Sequence, residues 1–271
     1  MHAEWTKLRT VAGSAWLLLA AVALTVAIGA AADSANAYSA LGTAQDVTKI
    51  SLTGVYLGQA VVAALAVLVV GSEYSTGTIH TTLAAVPRRC TMLAAKAAVL
   101  LAVVLPAGAV GVLCSLVAGR LILPGSGFTP AHGYAPLSLA DSSTLRATAG
   151  SVIYLALVAL LALGVTAAVR DSATAIGIVL GLLYLFPIIA QTVTDARWQR
   201  HLHEIAPMTA GLYIQVTVGV HSLPLTPWQG LGVLAGWAAA ARSANSRTAS
   251  NCASRSTDID CDASGLSLIH I

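Results

Sequence analysis

Few side chains in this sequence are grouped so that they could exchange protons, attack a carbonyl or hold a metal. The one cluster of histidine with carboxylate is His201-Leu202-His203-Glu204. Two imidazoles and a carboxylate are ordinary transition-metal ligands, but an interfacial polar turn accounts for this run as well, and no metal site is expected. The chain has no H-E-x-x-H and no G-x-S-x-G motif, so the zinc-protease and serine-hydrolase arrangements are not written in it. It also lacks G-x-x-x-x-G-K-[ST], so it cannot hold ATP by a phosphate loop. Cys90, Cys114, Cys252 and Cys261 sit at no zinc spacing and imply no disulfide framework. Neither a cofactor nor catalysis by the chain itself is expected.

The other candidates are polar side chains inside long apolar runs. Tyr56, Gln59, Tyr154, Tyr184 and Gln191 are the large ones, and ionisable groups are almost missing there. Proton- and ion-coupled carriers place charged groups at membrane depth, which argues against a secondary carrier. Gln59 follows Gly58 deep in an apolar run, where it can make an interhelical hydrogen bond or touch a substrate.

The elements that position these residues follow from composition. The 271 residues are 57% hydrophobic and 9% charged, with mean hydropathy +0.80. Soluble domains carry about 25% charged residues, so the reading is an all-α, polytopic membrane protein. The net charge of +3 is spread as single basic residues beside apolar runs and is no nucleic-acid footprint. Five segments reach the roughly 20 residues a span requires, at about 14–32, 51–71, 92–118, 147–169 and 172–193. A sixth starts at Trp228 and stops short near Ala241. Polar or mixed connections are expected at 33–50, 72–91 and 119–146, a near-zero turn at Arg170-Asp171, and a long segment at 194–227. Trp5, Leu8 and Ala12 share a helical face, so residues 3–12 fit an interfacial helix.

Placing the N-terminus in the cytoplasm puts Lys7, Arg9, Arg88, Arg89, Lys96 and Arg170 inside, against Lys49, Arg120, Arg146, Arg197 and Arg200 outside. Gly54/Gly58, Gly177/Gly181 and Gly232/Gly236 have the i, i+4 spacing that lets helix backbones approach in lipid. Pro106 and Pro187 fall inside the third and fifth spans, where they can kink them.

The segment from Gly71 to Arg89 joins spans two and three. Ile79, Leu83 and Val86 fit a short amphipathic helix that Pro87 would stop, and Thr91 is placed to cap the third span. Such a helix with a basic end suits docking of a soluble partner, and an interfacial connector fits equally well. The run Glu73-Tyr74-Ser75-Thr76-Gly77-Thr78, then Leu83 to Pro87-Arg88-Arg89, is similar to the corresponding loop of ATP-binding-cassette exporter permeases of the type-2 class. Glu4-Trp5-Thr6-Lys7-Leu8-Arg9 resembles the start of such chains. The stretches from Leu137 through Asp141 to Gly150, Arg170 closing the fourth span, and Ala206-Pro207-Met208 to Gly211 resemble actinobacterial members.

The resemblance covers residues 1–241 and implies a permease domain of six spans in a bacterial inner membrane. It also implies a homodimer or heterodimer with a second permease subunit, engaged by separate cytoplasmic ATP-binding-cassette ATPases. The loop residues Glu73, Tyr74, Gly77, Leu83, Pro87, Arg88 and Arg89 would couple the two, and 194–227 would form a re-entrant or external hairpin. Tyr56, Gln59 and Tyr184 are the candidates to line a substrate path at the subunit interface, on helix faces from spans two and five. An apolar lining favours an amphipathic drug, peptide or lipid. The rival reading is a membrane-embedded assembly factor, sensor or integral enzyme.

Residues 242–271 change character to a Ser-rich polar tail, and the family's basic end to the sixth span is missing. Leu266 to Ile271 back-translates to CTGTCTCTTATACACATC, a transposon-adaptor end sequence. The tail is therefore expected to be a frame-shifted or read-through artefact, and disordered.

Overall fold

In the computed structural model the described residues are 12–36, 45–75, 89–132, 134 and 137–243. Among them there is no strand, and five helices are long and apolar enough to cross a membrane. The elements are α1 (Ala12–Ala35), a one-turn α2 (Val47–Ser51), α3 (Val55–Ser75), α4 (Arg89–Ile122), α5 (Ser142–Val169), α6 (Ser172–Thr192), α7 (Ala196–Ile205), α8 (Pro207–Leu212) and α9 (227–243). The all-α fold and the five full spans match the expectation from the apolar runs. The interfacial helix expected near the N-terminus and the amphipathic helix expected over 79–86 lie outside the described residues.

Two boundaries and the placement of one charge differ from the sequence reading. α1 runs on to Ala35, so Asp33, expected in the polar connection, sits inside a spanning helix. α4 opens at Arg89, which places Thr91 within the helix and not at its cap. Lys96, counted with the cytoplasmic loop charges, lies inside the third span and is buried.

Local chemistry explains the other helix starts. Asp141, Asp171 and Asp195 each hold extended backbone and accept a hydrogen bond from an N–H of the first turn of α5, α6 and α7. Hydrogen bonds from Ser143 to Asp141 and from Thr174 to Asp171 hold both carboxyls below the ordinary carboxylate range. Arg170 closes α5 in the left-handed region at φ 63°, and the chain re-enters a helix at Ser172, which makes the near-zero turn a fact.

The core is formed where α1, α3, α4 and α5 pack together, with α6 laid against α3 and α5. Lipid tails give helices no hydrophobic reason to associate, so close backbone approach and interhelical hydrogen bonds take over. Gly54 and Gly58 provide the approach between α1 and α3. A Cβ at Gly54 would stand 1.7 Å from the Thr25 carbonyl oxygen, and one at Gly58 2.1 Å from Thr25 Oγ1. The same spacing at Gly177/Gly181 and Gly232/Gly236 meets nothing within 4 Å. Those pairs make no crossing among the described residues.

Candidate functional site

The segment after α6 turns back into the bundle. α7 descends beside α6, and α8 with the 3-10 turn Tyr213–Gln215 returns along α5. The register of the return is fixed by close contacts. A Cβ on Gly211 would lie 2.5 Å from the Tyr154 ring, and one on Gly150 would lie 2.0 Å from Ile214 Cγ1. Higher up, Arg146 Nη2 donates to the Val216 carbonyl at 2.7 Å. Tyr154 lies twelve residues into α5, about 18 Å along it at 1.5 Å per residue. The hairpin therefore reaches well into the bundle.

Irregular backbone at such depth is tolerated only when buried in protein with its polar groups satisfied. Met208, Leu212, Ile214 and Gln215 are buried, and Gln215 Nε2 donates to Ser151 Oγ at 3.0 Å. At the rim Asp46 does two jobs. It caps α2 through Lys49 N, and it accepts from Thr217 N, Thr217 Oγ1 (2.7 Å) and Val218 N (3.0 Å). The last helix is set by the hairpin too: Gly230 abuts the Ala210 carbonyl, and Trp237 Nε1 donates to the Ile205 carbonyl at 3.0 Å.

Under the hairpin lies a polar cluster drawn from four elements. Tyr154 O–H donates to Gln59 Oε1, and Tyr184 O–H donates to the Tyr56 carbonyl. Gln59 and Tyr154 are fully buried, and Gln59 Nε2 has no hydrogen-bond partner. Tyr56 and Tyr184 are half-buried. Tyr213 closes the group from the hairpin side, near Tyr56 and Glu204. The three residues singled out for a substrate path are thus neighbours on α3 and α6. Gln59 itself is spent on an interhelical hydrogen bond, and Gln191 stands exposed at the end of α6.

His201 Nδ1 lies 3.5 Å from Glu204 Oε2 on the exposed side of α7, whereas His203 turns inward and its Nδ1 is buried without a hydrogen-bond partner. The two histidines diverge, and among the described residues no metal-holding group forms. Of the loop residues, Glu73 and Tyr74 fall in the last turn of α3 and Arg89 opens α4. Gly77, Leu83, Pro87 and Arg88 lie outside the described residues. The end of α3 adjoins the start of α6, because a Cβ on Gly71 would stand 2.7 Å from Ser172 Cβ.

The sequence reading missed Asp33, Asp46 and Arg146. Asp33 is fully buried; its Oδ1 accepts from Ser51 Oγ at 2.9 Å, while Oδ2 has no partner. A carboxylate next to an apolar run reads as the start of a loop, and only the helix-favouring Ala30-Ala31-Ala32 directly before it hinted otherwise.

These features define a class: a multi-pass helical membrane protein whose polar centre, among the described residues, is built of neutral tyrosine and glutamine. Residues 1–188 match the family model described as ABC-2 family transporter protein, and the chain belongs to that family. It is accordingly a membrane subunit of an ATP-binding-cassette transporter and not itself a catalyst. The match ends inside α6, so the hairpin and α9 lie beyond it. No curated protein and no solved structure matches the chain.

Proposed function

We propose that the chain is the permease subunit of an exporter, driven by a separate cytoplasmic ATPase and working as a dimer in a bacterial inner membrane with its N-terminus inside. The family match over residues 1–188 carries this reading. ATP binding on the partner would bias the dimer between inward- and outward-open arrangements, the only work a subunit without its own phosphate loop can do. The connection from Glu73 to Arg89 leaves the bundle at the end that also carries the Arg170-Asp171 turn, and that end is where the ATPase docks. Tyr56, Gln59 and Tyr184 serve the substrate path. The Gly177/Gly181 face of α6, open within the chain, supports contact with a second permease subunit.

The test is co-expression with a candidate ATP-binding-cassette ATPase from the source genome. The two should co-purify, and ATP hydrolysis in proteoliposomes should depend on both. In a cysteine-free background, Ala140→Cys should react with an impermeant thiol reagent added outside. Ser172→Cys should react only after permeabilisation. Failure of the ATPase to bind would remove the exporter reading, and reversed labelling would remove the orientation.

A further inference from the structure

A cleft of about 290 Å³ opens on the bundle surface between the C-terminal turns of α4 and the segment leading into α5. Its size is at the lower end of ligand-binding clefts, which run from ~300 Å³ upward. Leu113, Leu116, Val117, Leu137 and Leu139 make most of its wall, and Arg120 stands at its edge. Arg120 is exposed and makes no hydrogen bond or ion pair with any described residue. Below it an apolar stripe descends α4 through Val117 (59% exposed), Leu113 (40%) and Val110 (52%). Val110 and Arg120 are ten residues apart, roughly 15 Å along a helix. That is half of a ~30 Å hydrocarbon core, the depth of one leaflet. Neither nearby carboxylate lines the cleft: Asp141 is turned back onto Ser143 and Thr144 as the α5 cap, and Asp33 is fully buried on the inner side of α4 at Gly119, where its Oδ1 accepts from Ser51 Oγ.

We infer that this cleft is a binding site for an anionic phospholipid of the leaflet at the hairpin end of the bundle. The headgroup phosphate sits on the Arg120 guanidinium, and one acyl chain lies in the cleft and along the Val117–Leu113–Val110 stripe. The charge is what selects this occupant: a wholly apolar partner helix would leave Arg120 unpaired at the membrane boundary. The inference rests on the membrane fold and is independent of any ATPase partner.

The probe is native mass spectrometry of the purified full chain, released from detergent with equimolar dioleoylphosphatidylglycerol and dioleoylphosphatidylcholine. The wild-type chain should retain the anionic lipid preferentially. Arg120→Gln should lower that preference about fivefold, as expected from the roughly 1 kcal/mol one basic residue contributes toward an anionic leaflet. Arg197→Gln, at another exposed arginine, should leave it unchanged. Val117→Trp should fill the cleft and lose retention with the charge kept, and Leu139→Trp fills it from the other wall if the first fails to fold. Equal retention of the two lipids, equal losses in the two arginine variants, retention by a correctly folded filled cleft, or displacement of the lipid by inorganic phosphate alone would each overturn the site. So would a Cys114–Cys114 disulfide between copies in the bilayer, because Cys114 is exposed beside Leu113 and would then mark a subunit interface.

Discussion

Replacing Tyr154 by Phe removes one oxygen and nothing else, yet it strands a whole amide. Gln59 is fully buried, its Nε2 has no partner, and the Tyr154 hydroxyl is the hydrogen-bond donor to its Oε1. Interhelical hydrogen bonds in membrane proteins average ~0.6 kcal/mol and reach ~1.7, while a buried polar group left unsatisfied costs roughly 1–3 kcal/mol. Tyr154→Phe should therefore destabilise the bundle by about 1–2 kcal/mol. Gln59→Leu should cost somewhat less, because it strands the tyrosine hydroxyl but removes an amide nitrogen that was already unpaired. The double variant replaces both partners by apolar groups of similar shape and should return close to wild type, a coupling of about 1–2 kcal/mol. Unfolding of the purified chain by sodium dodecyl sulfate titration in mixed micelles, followed by far-UV circular dichroism, measures all four proteins. Additivity of the two single changes to within ~0.5 kcal/mol, the scatter for independent sites, would show that the pair holds nothing together.

The close approach at Gly230 has no flexible side chain to give way, since its added Cβ would stand 1.9 Å from the Ala210 carbonyl oxygen. Gly230→Ala should cost at least the ~1–3 kcal/mol of an overpacked core, whereas Gly181→Ala should leave chain stability unchanged and lower the dimer fraction in crosslinking. The Asp141 and Asp171 carboxyls lie below their ordinary range because the folded state donates hydrogen bonds to the charged form. Their caps are in full force above the unfolded carboxylate pKa of about 3.9 and are lost as pH falls through the depressed folded values, so Asp171→Asn should flatten the acid limb of a melting-temperature profile. Surface charges contribute ~0–1 kcal/mol each to stability, and the sequence reading places Glu73, Arg88 and Arg89 in the aqueous connection. Glu73→Ala or Arg88→Ala/Arg89→Ala should thus leave insertion and melting unchanged while abolishing substrate-stimulated ATP hydrolysis in proteoliposomes; normal stimulation would exclude the loop from coupling.

The spans were legible because a bilayer demands about twenty apolar residues in a row and little else in a sequence supplies them. What lies across from a residue was not legible. Gly54/Gly58 and Gly177/Gly181 are the same pattern in sequence, and they differ only in that Thr25 faces the first and no described residue faces the second. The polar candidates were visible as single large polar side chains in apolar runs. Their pairing was not, because Gln59 and Tyr154 are 95 positions apart. Asp46 and Arg146 escaped notice for a related reason: each is bonded to backbone of the hairpin, which carries no side-chain signature. The aspartates before α5 and α6 were not read as caps, although their local sequence carries the signal. Asp141-Ser142-Ser143-Thr144 and Asp171-Ser172-Ala173-Thr174 both present an N-cap residue ahead of an apolar run.

The hairpin turns these separate observations into one mechanical unit. It is held at depth by Tyr154 against Gly211 and at the rim by Asp46 and Arg146, so it is tied to α2 and α5 together. α9 is tied to the hairpin in turn, through Gly230 on Ala210 and Trp237 on the Ile205 carbonyl, and it meets α5 again where Ala241 stands against Gly164. α5 therefore carries the hairpin at one end and α9 at the other. Packed interfaces of this density shift between discrete arrangements and do not deform smoothly. A displacement of α5 large enough to matter cannot leave the hairpin where it is. It must carry Gly211 and Ile214 along, and where it moves against α3 it parts the Tyr154–Gln59 bond. That bond joins α3 to α5, so parting it opens the bundle at its polar centre. Such an opening would give Gln59 Nε2, now buried without a partner, something to bond.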